Sequence, residues 1–165
     1  MTAPGRTDWA KGHDLIVLEG CDGAGKTTLA AALAARHSYV IAHATLTPEG
    51  TDLFAKYRVI LARPGPLVLD RSFVSELVYG PLERGYSRLT FERAAHLATI
   101  TAQRGGLLVH LTGHPDQIAT RLLARDGHAP AVSRISALTA AYADVVARLA
   151  AHVPVITIDT TPSAA

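Results

Sequence analysis

Residues 20–27 have the types and spacing that phosphate chemistry needs. They read G-C-D-G-A-G-K-T, which fits the pattern G-x-x-x-x-G-K-[ST], between an apolar run and an Ala- and Leu-rich segment. Glycines let the main chain turn its N–H groups onto phosphate oxygens, and a helix that starts there adds partial positive charge. We expect Lys26 to reach the β- and γ-phosphates of ATP and the Thr27 hydroxyl to bind Mg²⁺.

Asp70 and Arg71 form the second chemical signal. Asp70 ends an apolar run, at the edge where ligands meet parallel sheets, so its carboxylate could hold Mg²⁺ or accept a proton. The Arg71 guanidinium has the geometry to bind a second phosphate with two hydrogen bonds. Two structural roles stay open, because Asp70 could cap a helix and Arg71 could form a surface ion pair.

Arg121 and Arg125 are four residues apart, on one face of a predicted helix that runs into the loop D-G-H-A-P. We expect residues 121–130 to form a short lid whose arginines neutralise charge as a phosphoryl group moves. A solvated helix face would show the same spacing. The residues that we expect to act in the reaction are Lys26, Asp70, Arg71, Arg121 and Arg125, with Thr27 and Asp70 at the metal.

The elements that position these residues alternate along the chain. Apolar runs predict strands at residues 15–18, 40–44, 67–69, 107–111 and 155–158. Helical patterns lie between them, the second starting at Pro48 and the third ending at the Gly80-Pro81 pair. Strands that alternate with helices predict a three-layer α/β/α P-loop fold around a parallel sheet of about five strands.

Length and composition restrict the class of protein. The 165 residues are 48% hydrophobic and carry a net charge of +2, so we expect one domain at residues 13–165 after a flexible leader at 1–12. This charge balance does not suggest a nucleic-acid or membrane partner. One cysteine, Cys21, excludes an internal disulfide, and no signal peptide or apolar span is present, so we expect a cytoplasmic location. The missing N-K-x-D motif disfavours a GTPase switch.

Three segments resemble thymidylate kinases. Residues 18–28 resemble the E-G-x-[DE]-G-A-G-K-[ST]-T loop of that family. Residues 70–79 resemble its D-R-x-x-x-S-x-x-x-Y segment, and residues 53–58 its L-F-x-x-x-R segment. The chain lacks the arginine of the family's R-E-P-G-G segment, and Gly80 stands where the family has glutamine.

The resemblance implies a role for each matching residue. Asp22 would contact the acceptor sugar, Phe54 would stack on the base, Arg58 would bind a base oxygen, and Tyr79 would lie against the sugar. The implied substrate-binding residues are Asp22, Phe54, Arg58, Arg71, Ser75 and Tyr79. Those that would bind ATP are Gly20, Asp22, Gly23, Ala24, Gly25, Lys26, Thr27, Thr28 and Arg121.

The sequence thus predicts an ATP- and Mg²⁺-dependent kinase that converts a nucleoside monophosphate to the diphosphate. The acceptor would be a pyrimidine (deoxy)nucleotide such as dTMP or a modified relative, and the resemblance implies a possible homodimer. Two alternatives stay open. Residues 70–72, D-R-S, also resemble the [DE]-R-S segment of deoxynucleoside kinases, which phosphorylate a sugar hydroxyl. A non-catalytic ATP-binding module would have the same loop.

Overall fold

The structure is a three-layer α/β/α sandwich around a five-stranded parallel sheet, as the sequence predicts. The computed structural model describes residues 7–162. The strand order is β2-β3-β1-β4-β5, and every neighbouring pair is parallel. β2 and β3 lie on one side of β1, whereas β4 and β5 lie on the other. The order in which strands are added to the sheet therefore reverses at β1. Ligands of open α/β sheets bind beside such a point, at the carboxyl ends of the strands.

The strands and helices cover most of the described chain. The strands are β1 (Leu15–Glu19), β2 (Val40–His43), β3 (Leu67–Asp70), β4 (Gly106–Thr112) and β5 (Val155–Asp159). The helices are α1 (Lys26–His37), α2 (Leu53–Leu61), α3 (Phe73–Arg84), α4 (Phe91–Gln103), α5 (Pro115–Asp126) and α6 (Val132–Leu149). Within residues 7–162, none of the helices is long and apolar enough to cross a membrane.

The central strands explain why their sequences are short apolar runs. Every residue of β1 and β3 is buried, because helices cover both faces of the sheet. In register, Leu18 pairs with Asp70, and Asp70 pairs with His43 of the edge strand β2. The carboxyl ends of β1, β2 and β3 therefore lie at one edge of the sheet, where His43 and Asp70 supply polar side chains.

Two predicted helix boundaries were wrong. α2 begins at Leu53, after Pro48, because the Asp52 side chain accepts a hydrogen bond from the backbone N–H of Ala55 and caps the helix there. α3 does not end at Gly80 but continues through Pro81 to Arg84.

An ion pair lies in the last turn of α3, beyond its proline. Arg84 in the last turn donates to the Glu76 carboxylate, and the backbone N–H of Arg88 donates to the same carboxylate at 2.7 Å. A side chain at Gly80 would obstruct this contact, since a Cβ there would lie 2.8 Å from Glu76 Oε1. The ion pair holds the last turn although Pro81 supplies no N–H to the helix ladder.

The predicted leader was wrong for residues 7–12, whereas residues 1–6 lie outside the described part of the chain. Residues Asp8–Ala10 form one turn of 3₁₀ helix, and Ala10 is fully buried. The Tyr39 hydroxyl donates to the carbonyl oxygen of Ala10 at 2.9 Å, and Thr7 Oγ1 lies 2.8 Å from His37 Nε2. These contacts fix the segment to the domain.

Replacing Gly20 by alanine should destabilise the fold. Gly20 has a φ of +151°, and a Cβ there would lie 2.2 Å from the carbonyl oxygen of Leu111 in β4. Forcing the loop away from β4 should cost about 3 kcal/mol of unfolding free energy, measured by urea denaturation. Gly65→Ala is the matched control, because Gly65 also has a positive φ but a Cβ there meets no atom within 4 Å. An equal loss in both variants would contradict the steric explanation.

Candidate functional site

The Gly-rich loop leads directly into α1, with no side chain capping the helix. Gly25 occupies the cap position with a φ of +97°, a left-handed conformation that glycine adopts without strain. The first N–H groups of α1 are therefore available to a ligand in the loop, and the helix end adds partial positive charge. This is the arrangement that the sequence predicts for binding phosphate.

Lys26 is buried within the same loop. Its Nζ donates to the carbonyl oxygens of Gly20 at 2.6 Å and Cys21 at 2.7 Å, which uses two of the three donors of an ammonium group. Burial lowers the pKa of Lys26, and the negative charge of Glu19 opposes that shift. The loop thus holds an ammonium group whose remaining donor can bind a phosphate oxygen.

Thr27 and Asp70 supply oxygen atoms beside the loop. The Thr27 hydroxyl donates to Asp70 Oδ2 at 2.9 Å, and His43 Nδ1 lies 3.1 Å from the same oxygen. A hydroxyl and a carboxylate are the hard ligands that Mg²⁺ prefers, and Mg²⁺ usually completes its shell with water and substrate phosphates. Residues 7–162 contain no cluster of three or more His, Cys, Asp or Glu side chains that could hold a metal. The two oxygens therefore fit a Mg²⁺ ion that arrives with a nucleotide.

Arg71 follows directly and faces the Gly-rich loop. Its guanidinium forms an ion pair with Asp22 of the loop and lies over the ring of Tyr79, 5.4 Å from the ring centre. Its backbone has a φ of +69°, which is unusual for a residue other than glycine. Asp70 does not cap α3, because the cap is Ser72, whose hydroxyl accepts from Val74 N. The ion pair with Asp22 is the structural role that the sequence left open for Arg71.

The two arginines of α5 both face the same loop. Arg121 donates to Thr160 Oγ1 at 2.9 Å and to the carbonyl oxygens of Thr160 and Gly23, so it links α5 to the loop and the end of β5. Arg125 is exposed and forms two hydrogen bonds of 2.7 Å with Asp126. That contact raises the pKa of Arg125, which keeps it positively charged. The movement of a lid at residues 121–130 stays a prediction.

These side chains line one cleft of about 470 Å³. Four of its side chains are cationic and two are acidic, so the cleft has an excess of positive charge that suits an anionic ligand. The cleft is lined by Asp22, Gly23, Gly25, Lys26, Thr27, Thr28, His43, Ala44, Asp70, Arg71, Arg121 and Arg125. Gly20 and Ala24 belong to the Gly-rich loop but do not line the cleft.

A second cleft of about 640 Å³ lies between α2 and the edge strand β2. It meets the first cleft at three shared residues, Arg71, His43 and Ala44. Apolar side chains, among them those of Leu69 and Ile60, form part of its wall. Its further lining residues are Ala42, Thr45, Thr51, Asp52, Ala55, Lys56, Tyr57, Val59 and Arg63. The two clefts are therefore neighbours, separated by residues that line both.

Phe54 and Arg58, the two residues predicted to bind a base, line neither of these clefts. The Phe54 ring packs edge-on against His96 of α4, 5.4 Å between ring centres. The guanidinium groups of Arg58 and Arg93 lie over the Phe54 ring at 5.8 and 5.6 Å. The structure therefore places them on the α4 side of α2, and their role in binding a base stays a prediction.

Ser75 belongs to a buried network that the sequence did not predict. Glu19, which is 0% exposed, accepts from the Ser75 hydroxyl at 2.8 Å and from the Ser72 hydroxyl at 2.7 Å. Ser75 Oγ also lies 3.0 Å from the hydroxyl of Tyr142, whose ring contacts Tyr79. The position of Glu19 at the end of an apolar run is the signal that could have identified it, because a buried carboxylate needs hydrogen-bond donors.

The fold is shared with kinases of known structure. No family model matches the chain, and no curated protein matches it. The YorR protein of Bacillus subtilis, crystallised in complex with phosphorylated GDP, is 26% identical, has a TM-score of 0.77, and is matched over 88% of this chain and 85% of its own. A deoxyadenosine kinase from M. mycoides, with dCMP and dCDP bound, is 13% identical over 88% of this chain and 89% of its own, at a TM-score of 0.56.

A gluconokinase from Sinorhizobium meliloti is 20% identical, with a TM-score of 0.54, over 89% of this chain and 83% of its own. The deoxyadenosine kinase and the gluconokinase act on different substrates, so at these identities they support the fold and not the substrate. The chain therefore has the fold found in P-loop kinases, with the Gly-rich loop between β1 and α1.

Replacing Tyr79 by phenylalanine should leave the free energy of unfolding unchanged or raise it by up to about 1 kcal/mol. The Tyr79 hydroxyl is buried without a hydrogen-bond partner within the described structure, so its removal abolishes a desolvation penalty. Tyr142→Phe is the matched control and should cost about 1 kcal/mol, because it removes the contact with Ser75. Urea denaturation measures both.

Tyr79→Phe should also change how the free energy of unfolding depends on pH at high pH. Burial raises the pKa of Tyr79 from 10.0 to about 12. Between these values the unfolded chain has lost the proton that the folded chain retains, so stability falls as pH rises. Tyr79→Phe should reduce this slope between pH 10 and about 12. An unchanged slope would contradict the assignment.

Proposed function

We propose that the protein transfers the γ-phosphoryl group of ATP to the phosphate of a nucleoside monophosphate. The donor triphosphate would lie in the Gly-rich loop, where α1 and Lys26 face the ligand. Thr27 and Asp70 would hold Mg²⁺, which neutralises charge on the phosphates when it is bound. The excess positive charge of the cleft supports this placement.

The position of Arg71 carries the proposal. Arg71 lines both clefts, so a phosphate bound to its guanidinium from the second cleft would lie beside the donor cleft. A planar guanidinium binds a phosphate with two hydrogen bonds and fixes its orientation. Holding the attacking oxygen in line with the γ-phosphorus is one main contribution of such an enzyme, and stabilising the charge on the transferred group is the other.

The reaction then needs no strong base. An oxygen of the acceptor phosphate, already ionised at neutral pH, forms a bond to the γ-phosphorus while the bond to the β-phosphate oxygen breaks and ADP leaves. Lys26, Arg121 and Arg125 stabilise the charge that spreads over the transferred group. Closure of the lid would exclude water, which would otherwise hydrolyse ATP.

A nucleotide acceptor is supported by the resemblance to thymidylate kinases, and nucleotide binding by the similar YorR structure. The motifs that contain Asp22, Arg71 and Tyr79 resemble those of thymidylate kinases, which act on dTMP. The similar YorR structure contains phosphorylated GDP. We therefore propose a nucleoside monophosphate as acceptor, with a pyrimidine such as dTMP as the first candidate.

A nucleoside kinase is the second candidate, favoured by the contact between His43 and Asp70. Phosphorylation of a sugar hydroxyl requires a group that accepts its proton. Asp70 is buried at the end of β3, and His43 Nδ1 lies 3.1 Å from its carboxylate, where the two clefts meet. A hydroxyl bound there could lose its proton to this pair, so the acceptor itself distinguishes the two functions.

A panel of acceptors tests the proposal directly. The protein is incubated with ATP, Mg²⁺ and each pyrimidine and purine nucleoside, in parallel with its monophosphate, and transfer is followed with labelled γ-phosphate. We expect diphosphates to form from a monophosphate. Lys26→Ala should lower kcat by about 10³-fold or more, because the ammonium group that stabilises the negative charge of the transferred group is lost. Transfer to nucleosides alone would support the second candidate, and full activity of Lys26→Ala would contradict the donor site.

Two substitutions on α2 locate the base of the acceptor. Val59 lines the second cleft and is 69% exposed, so Val59→Trp should fill that cleft without disturbing the core. If the base lies there, this variant should raise the KM of the acceptor about tenfold or more and leave the KM of ATP unchanged. Phe54→Leu, on the α4 side of the same helix, is the matched comparison. A larger effect of Phe54→Leu would instead support base stacking on Phe54.

A further inference from the structure

Arg71 has a backbone conformation that other groups must maintain. Its φ of +69° lies in the left-handed region, where a side chain meets its own backbone. Within residues 7–162, Ser38 is the one other residue besides glycine with a positive φ, and it ends α1. Such a conformation persists only where the surrounding structure fixes it.

Two hydrogen bonds fix the backbone on either side of the Arg71 Cα. The N–H of Arg71 donates to the carbonyl oxygen of Leu18 in β1 at 3.1 Å. The next N–H, that of Ser72, donates to Glu19 Oε1 at 2.6 Å, and the Ser72 hydroxyl donates to the same oxygen at 2.7 Å. Two consecutive residues of β1 therefore hold the turn that contains Arg71.

Glu19 is placed for this task rather than for contact with a ligand. Its side chain is 0% exposed, and it lines neither cleft. Its second oxygen accepts from Ser75 in α3 at 2.8 Å, so both carboxylate oxygens are engaged by the segment that starts at the turn. Burial raises the pKa of Glu19, and its three hydrogen bonds favour the ionised form.

We propose that Glu19 is a positioning residue for acceptor binding, acting through the backbone of Arg71. By binding Ser72 it holds Arg71 in the left-handed conformation that directs the guanidinium to the junction of the two clefts. This inference rests on the proposed function, because it assumes that Arg71 binds the acceptor phosphate. It predicts a loss that affects the acceptor and not the donor.

Glu19→Leu tests this role, because leucine accepts no hydrogen bond from Ser72 or Ser75. Glutamine would keep one oxygen, which could still accept both donors of Ser72. We expect kcat/KM for the acceptor monophosphate to fall about tenfold or more, while the dissociation constant of ATP, measured by calorimetry, stays within about twofold. Tyr142→Phe is the matched control, since it removes a hydrogen bond of the same buried network without touching Ser72. It should leave both quantities unchanged.

A double-mutant cycle with Arg71→Ala distinguishes positioning from a general loss of structure. If Glu19 acts through Arg71, then Glu19→Leu should have less than about a twofold further effect once Arg71 has been replaced. Equal losses in both backgrounds would overturn the proposal. So would a loss of ATP affinity that matches the loss for the acceptor.

A crystal structure of the Glu19→Leu variant gives a test that does not depend on catalysis. We expect the φ of Arg71 to leave the left-handed region, or its guanidinium to lose the contact with Tyr79. An unchanged Arg71 would overturn the proposal even if activity had fallen. If the unmodified protein transfers phosphate to no nucleotide, the proposed function fails, and the variant's structure still decides whether Glu19 holds the turn.

Discussion

The parallel pairing of β1 with β3 is the constraint on which the candidate site depends. In this register Leu18 lies beside Asp70, so the residues that follow each strand leave the sheet at the same point. After β1 comes the Gly-rich loop, and after β3 comes Arg71. A slip of two residues in this pairing would move Asp70 about 7 Å along the strand and separate it from Thr27.

Burial of charge accompanies this arrangement. Lys26 and Glu19 are both buried near the end of β1, and each opposes the effect of burial on the pKa of the other. Each also has hydrogen bonds of its own, Lys26 with backbone carbonyls and Glu19 with Ser72 and Ser75. Because an unpaired buried charge is costly, either group would destabilise the fold if its partners were lost.

Local patterns in the sequence predicted much of this structure. The apolar runs identified the five strands, and the Gly-rich pattern identified the loop, because both signals arise within a few consecutive residues. The spacing of Arg121 and Arg125 correctly placed both side chains on one face, where they line the loop's cleft. The predicted start of α2 and the predicted end of α3 were wrong, because the caps at Asp52 and Gly85 lie beyond the local signals of Pro48 and Pro81.

Contacts between distant segments could not be predicted in this way. The hydrogen bond from Ser72 to Glu19 joins residues 53 positions apart. It forms because β1 and β3 are neighbours in the sheet, and no short sequence pattern encodes that strand order. His43 gains its contact with Asp70 only because β2 pairs with β3 at the edge of the sheet. The contacts of such residues therefore depend on which strands pair, and residue type alone does not predict them.

Helix α2 lies between two places where the rest of an acceptor could bind. Phe54 and Arg58 are four residues apart and interact with each other on the side of α2 that faces α4. Ala55 and Val59 have the same spacing but line the second cleft, which adjoins Arg71. If the acceptor phosphate binds Arg71, as we propose, the rest of the acceptor would lie next to the second cleft. This proximity favours the second cleft for the rest of the acceptor, because a ligand held at Arg71 need not cross α2 to occupy it.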